Sequence, residues 1–351
     1  MLRKWRAGAT MAAILGLTPF RVCEKQKEAF MRNTMAFLTV LAGVLGLAAV
    51  PAQAQIARTF VSSFGNDANN CDRPTPCRTF QHAHDQTLAN GEITVLDPGG
   101  YGAVVINKTI SIINDGVGEA GMLISGGVTG VTFVGAAGDT VSLRGLTIKG
   151  IGFGSGNGIN FISGKFMSIE NCAIRNLPTG NSNTGIAIWF NPGGQSVSNQ
   201  LAISNTLIAD STIGIDVGPT GTGVVKVSLF HVELYDNLLG LNVAPGSTTV
   251  SARVSALSSA VDGNAAGVEV STLAGSSALT SVTFALSLLT NNDTALVSTG
   301  SGASQLRIGQ SLLAGNGTAW TVSTGGVFQS FGDNYIVGND NQPTPPTVAR
   351  E

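Results

Sequence analysis

The chain has 351 residues, a formal charge of -2 and only 11% charged residues, against roughly a quarter in an average soluble domain. Its 46 glycines follow no three-residue period, which excludes collagen, and 43% hydrophobic residues argue against a disordered chain. The composition suits short β-branched strands separated by polar turns.

The first predicted element is a leader over residues 1–54. From Met31 the sequence reads MRNTMAFLTVLAGVLGLAAVPAQAQ: Arg32, an apolar run from Met35 to Val50, then a small-x-small site at Ala52-Gln53-Ala54. This is the layout of a secretory signal with cleavage after Ala54, and it implies a secreted or periplasmic protein. Residues 1–30 read either as a longer leader or as sequence ahead of a true start at Met31. From Gln55 onward, 12 Lys and Arg stand against 19 Asp and Glu, a formal charge of -7. No basic patch remains for nucleic acid, and no run of 18 apolar residues offers a membrane span in the mature chain.

Residues 55–92 read as an N-terminal cap. Cys71 and Cys77 bracket the loop CDRPTPC and are expected to pair as a local disulfide in an oxidising compartment. Two sulfurs make a poor metal site, and His82 and His84 fall on the helix predicted from Thr79, so no metal is expected there. That helix should lay Phe80, Ala83 and Leu88 over the core, turn Asp85 and Gln86 to water, and end at Asn90-Gly91. Cys172 has no evident mate and reads as a small buried thiol.

Residues 93–338 repeat. MSIENCAIRN from Met167 returns as LAISNTLIAD from Leu201, and the phrase recurs from Leu229, Phe284 and Ile308. From Leu143 to Ile308 the spacing averages about 27 residues, the beat of a repeat architecture. A second phrase of Gly-apolar-x-apolar keeps the same period at Gly158, Gly185, Gly214, Gly240 and Gly267. Strands this short are stable only if successive turns stack and each inward Ile, Leu or Val joins a column. The units are too short for propeller blades and lack the leucine-rich signature. The predicted fold is all-β: a right-handed, three-sheet parallel β-helix, with the helix as its cap and 339–351 as a flexible tail.

IARTFVSSFGNDANNC…PCRTFQHAHDQTLANGEITVLDPGG, followed by the L-x-I-x-N and G-I-x-V units, resembles the cap and coils of secreted bacterial proteins with the pectin-lyase-like fold. The resemblance covers nearly the whole mature chain. It implies the fold; for activity it implies only a range, from lyases, esterases and hydrolases of acidic polysaccharides to adhesins and glycan binders.

The outward position of the second phrase carries Asn160, Ala187, Asp216, Asn242 and Glu269, a stripe that suits sugar binding or a weak cation site through oxygen ligands, although outward positions on a soluble solenoid must be polar in any case. Trp189, in IAIWFNPGG, reads either as core or as a platform for a sugar ring. A second cluster holds Glu170, Arg175, Asp210, His231, Glu233 and Asp236. Within it, Asp210, Asp236, His231 and Glu233 are the catalytic candidates, although turn residues bonding local backbone are the simpler reading. Asp-Asp, Gly-His-Gly and Arg-x-Pro-x-x-Arg signatures are missing. The sequence therefore favours a non-catalytic monomer that binds a polysaccharide or cell-surface glycan without a cofactor. The alternative is a lyase, hydrolase or esterase of acidic or plant-wall-type polysaccharide, and only there is Ca²⁺ expected.

Overall fold

The computed structural model describes residues 56–151, 156–178, 184–194, 198–300 and 303–349. The leader lies outside them. Among the described residues, no helix is long and apolar enough to cross a membrane.

The chain winds as a right-handed parallel solenoid. Every pairing between strands is parallel, and each strand pairs with its counterpart in the coils before and after. Leu143, Ile169, Ile203, Leu229, Ala256, Phe284 and Ile308 occupy one inward column, and all are buried. The opening phrase is therefore one rung of a ladder, and Ala256 fills the rung where its pattern fades. Hydrogen bonding resolves two sheets where the sequence led us to expect three: one of nineteen strands and one of nine. The larger sheet takes in two strand faces of each coil, which meet at the first corner, where a single left-handed residue carries the chain around. Gln200–Ser211, for instance, runs as one strand through Asn205 at φ 47°.

These corners explain much of the sequence. One column of left-handed residues comprises Asn171, Asn205, His231, Ser258, Leu286 and Gln310; a second includes Asn176, Asp210, Asp236, Gly263, Asn291 and Gly315. Asn and Asp tolerate this conformation because their short polar side chains bond locally. The glycines of the second phrase have a different task. Gly214, Gly240 and Gly267 do not have positive φ. A Cβ there would lie 2.5–2.6 Å from a carbonyl oxygen of the next coil, so they permit close stacking.

Directly after the second corner, Asn237, Asn264, Asn292, Asn316 and Asn339 form an internal ladder. Each of the first four donates both its backbone N–H and its side-chain Nδ2 to Oδ1 of the next, at 2.8–3.1 Å. After the first corner, the Oγ atoms of Ser259, Ser287 and Ser311 accept from the backbone N–H groups of Val232, Ser259 and Ser287. Inside the nine-stranded sheet, Phe133, Phe161 and Phe190 stack at 5.3 and 4.7 Å.

The N-terminal end is closed by the helix Phe80–Gln86. Asp67 holds its first turn by accepting from the N–H groups of Arg78 and Thr79 and from the Thr79 hydroxyl. Burial pushes the Asp67 carboxyl up, but these donors outweigh it and its pKa falls below the usual value. Phe80 and Ala83 are fully buried as expected, whereas Leu88 is exposed and Gln86 is buried. The helix also stops earlier than predicted, at Thr87, whose N–H and hydroxyl return to Ala83 O. The chain then enters the strand Thr87–Val95, so Leu88 follows strand alternation instead of helical spacing. Cys71 and Cys77 form the disulfide. At the other end, residues 341–348 return to the last coil through Asn341 O, Pro346 O and Val348 N.

Candidate functional site

On the nine-stranded sheet, the outward position lies between two buried residues of each strand. Asn160 stands between Ile159 and Phe161, Asp216 between Ile215 and Val217, Asn242 between Leu241 and Val243, and Glu269 between Val268 and Val270. The register aligns these into one stripe and corrects one member of it. Trp189, not Ala187, pairs with Asn160 on one side and Asp216 on the other. The in-register phrase of that coil is Ile188-Trp189-Phe190, two residues beyond the glycine-based phrase, and Ala187 is buried. The stripe therefore runs Thr132, Asn160, Trp189, Asp216, Asn242, Glu269, Val297. Asn160 through Glu269 are all half-buried.

Asp216 accepts a 2.8 Å hydrogen bond from Asn242 Nδ2. Burial raises its pKa above the ordinary carboxylate value, and the Asn242 bond opposes that rise without cancelling it. Asn160 Oδ1, next to the indole, is buried and has no hydrogen-bond partner. Beyond the stripe, the connecting loops continue the stack, with Thr220 N donating to Pro192 O and Gly246 N to Pro219 O, both at 2.9 Å. A half-buried aromatic beside a carboxyl biased toward its protonated form can hold a sugar ring and hand a proton to an oxygen.

The second cluster is not drawn together in this way. Asp210, His231 and Asp236 are exposed corner residues with φ of 51–53°, and His231 stacks on Phe230 at 4.0 Å. Glu233 is exposed, on the rung between Leu207 and Ala260. Glu170 lies 3.9 Å from Arg144, and Arg175 pairs in register with Lys149. His231 and Glu233 do share a shallow groove of about 530 Å³ with Asn171 and Asn205, but no acid-base pair forms there.

Ca²⁺ needs several converging oxygens. Among the described residues, the one group of three His, Cys, Asp or Glu side chains with ligand atoms within 4.8 Å of one another is Cys71, Cys77 and His82, and both sulfurs are spent in the disulfide. Among the described residues, no group of three acidic side chains converges in this way. Cys172 is buried, its thiol pushed up to about 11 by burial, which leaves it protonated and inert.

No family model matches the sequence, and no curated protein matches it. Solved structures do match. The pectate lyase Pel9A aligns with a TM-score of 0.59 at 15% identity, over 83% of this chain and 79% of that one. The lacto-N-biosidase of family GH136 from Eubacterium ramulus aligns at 0.46 and 12%, over 84% and 67%. The A-module of the mannuronan C-5 epimerase AlgE4 from Azotobacter vinelandii gives 0.41 and 14%, over 74% and 91%. At these identities the likeness establishes the pectin-lyase-like solenoid fold. It also corrects the expectation of a non-catalytic protein. That expectation leaned on missing local signatures, and the structure that aligns at 0.59 is by name a pectate lyase. Signatures borrowed from known layouts are a poor guide at such distance.

Proposed function

We propose that the chain is a secreted or periplasmic carbohydrate-active enzyme, a hydrolase of a neutral, plant-wall-type polysaccharide, working along the outward stripe of the nine-stranded sheet. The observation that carries this reading is the register that sets Trp189 directly beside Asp216. Asp216 is the proton donor to the glycosidic oxygen, oriented by Asn242. Trp189 supports a sugar ring. Glu269 lies two rungs from Asp216, roughly 10 Å along the stack at ~4.8 Å per rung. That separation is near the ~6.5–9.5 Å of inverting pairs and far from the ~5 Å of retaining ones, so Glu269 is assigned as the base that activates water on the opposite face of the sugar. A carboxylate base at Glu269 with no cation in the stripe would repel a uronate, which favours the neutral substrate over the acidic one.

Incubating the purified protein with a panel of neutral and acidic polysaccharides, with and without Ca²⁺, tests this. The expected result is new reducing ends from a neutral polymer, independent of Ca²⁺, with Asp216→Asn and Glu269→Gln each lowering kcat by about 10²–10⁴. Unsaturated products from a uronate polymer, or full activity in both variants, would remove the assignment.

A further inference from the structure

The outward face of the strands between the two corner columns changes character toward the C-terminal end. One column there reads Glu233, Ala260, Leu288, Leu312, Tyr335, and its neighbour Tyr235, Asp262, Thr290, Ala314, Val337. Leu288 is 48% exposed, Tyr335 76% and Val337 58%. Beside them Leu286, 54% exposed, takes the left-handed corner at φ 51°. The equivalent corners hold Asn171, Asn205, His231, Ser258 and Gln310, so Leu286 is the apolar exception in a conformation that disfavours bulky side chains. A strained leucine facing water adds nothing to the solenoid; it belongs to a surface.

From this we infer that the apolar face is a dimer interface, occupied by a second copy of this chain packed face to face with its solenoid axis antiparallel. The argument from self-complementarity is specific. A two-fold axis along the strands, between the rungs of Leu288 and Leu312, lays each column on its own copy in reverse order. Leu288 then meets Leu312. Tyr335, the largest side chain, meets Ala260, the smallest. Asp262 falls opposite Val337 and away from its own symmetry mate, with its carboxylate already bonded within its chain to Thr290 and Asn291 at 2.6 and 2.7 Å. The apolar area is on the order of 500 Å² per copy, so two copies bury ~1,000 Å², the level a specific interface requires. An anionic membrane is the poorer occupant, because the patch is bounded by Glu233 and neither column from Glu233 onward holds Lys or Arg. The face lies on the other sheet from the proposed active stripe, and the inference does not depend on that activity.

Sedimentation equilibrium of the purified full chain at micromolar concentration should give a dimer. Leu288→Asp should raise the dissociation constant about a hundredfold. Leu286→Asn, which suits the left-handed corner, should also weaken the dimer while leaving the thermal midpoint of the monomer unchanged or higher. Mixing Ala260→Cys with Tyr335→Cys protein under mild oxidation should yield a mixed cross-linked dimer. A monomer at all concentrations, a dimer indifferent to Leu286→Asn and Leu288→Asp, or cross-linking of Ala260→Cys only to itself would overturn the proposal.

Discussion

Two influences oppose each other at Asp216: burial disfavours its charge, and the amide of Asn242 favours it, with burial ahead. The sign for catalysis follows. A proton donor works only while protonated, so the alkaline limb of kcat/KM should fall as pH rises through the raised pKa of Asp216. In an unperturbed aspartate that limb would lie near 3.9; here it is displaced upward. Asn242→Leu removes the opposing hydrogen bond and should move the limb to higher pH again, whereas Asn242→Asp adds a like charge one rung away and should do the same more strongly. A pH profile of the wild type and the two variants checks the order; a limb unmoved by either would show that another group donates the proton. Asp216, Asn242 and Glu269 were legible in the sequence because their coils keep the glycine-led phrase in register. Trp189 as a member of the stripe was not, because in its coil Ile186-Ala187-Ile188 imitates the phrase two residues early. The cue that distinguishes them is Phe190: it continues the inward aromatic column of Phe133 and Phe161, and only Ile188-Trp189-Phe190 places a large residue there.

At the scale of the element, the coils are fastened by a device the repeat phrases conceal. The internal asparagines follow the second corner as Asp236-Asn237, Gly263-Asn264, Asn291-Asn292, Gly315-Asn316 and Gly338-Asn339, a dipeptide signal at the same beat as the apolar phrases. Asn171 and Asn205, the asparagines of the repeated phrase, are instead exposed corner residues. The difference is physical: the corner residue is selected for its backbone conformation, the next one for satisfying buried donors. Asn292 takes bonds from the backbone and side chain of Asn264 and passes two to Asn316 and two to the carbonyls of Val261 and Thr290. Asn292→Ala strands the backbone N–H of Asn264, whose side-chain amide keeps the carbonyls of Leu234 and Asp262, at about 1–3 kcal/mol for each buried group left unpaired. We expect a loss of roughly 2–4 kcal/mol, read from denaturant unfolding. Asn291→Ala, one residue earlier and exposed, should cost less, since it loses mainly the corner preference and the bond to Asp262. Equal losses at the two positions would mean that the ladder is ornamental.

The whole molecule is a one-dimensional stack, so its stability is local. Each coil leans on its two neighbours, and an end coil has only one. The N-terminal end is held by the strand Ile56–Val61, which pairs with Thr87–Val95, and by the disulfide loop bonded to that strand through Phe60 N to Cys71 O and Cys77 N to Phe60 O. The cap, its disulfide and the period of the coils could be read from spacing and composition alone; the merging of two strand faces into one bent sheet could not, because it depends on whether hydrogen bonds continue through a left-handed residue. Replacing Cys71 and Cys77 together by serine removes a crosslink of sequence separation 6, worth about 2 kcal/mol on loop-closure grounds. In a globular core that loss would spread over the molecule. Here it should stay at one end: hydrogen exchange should speed up across the cap strand and the first coils, residues 56–113, while the amides along the asparagine ladder from Asn237 to Asn316 keep their protection. A uniform loss of protection along the chain would show that the solenoid unfolds as one cooperative unit, and that its end cap stabilises all coils alike.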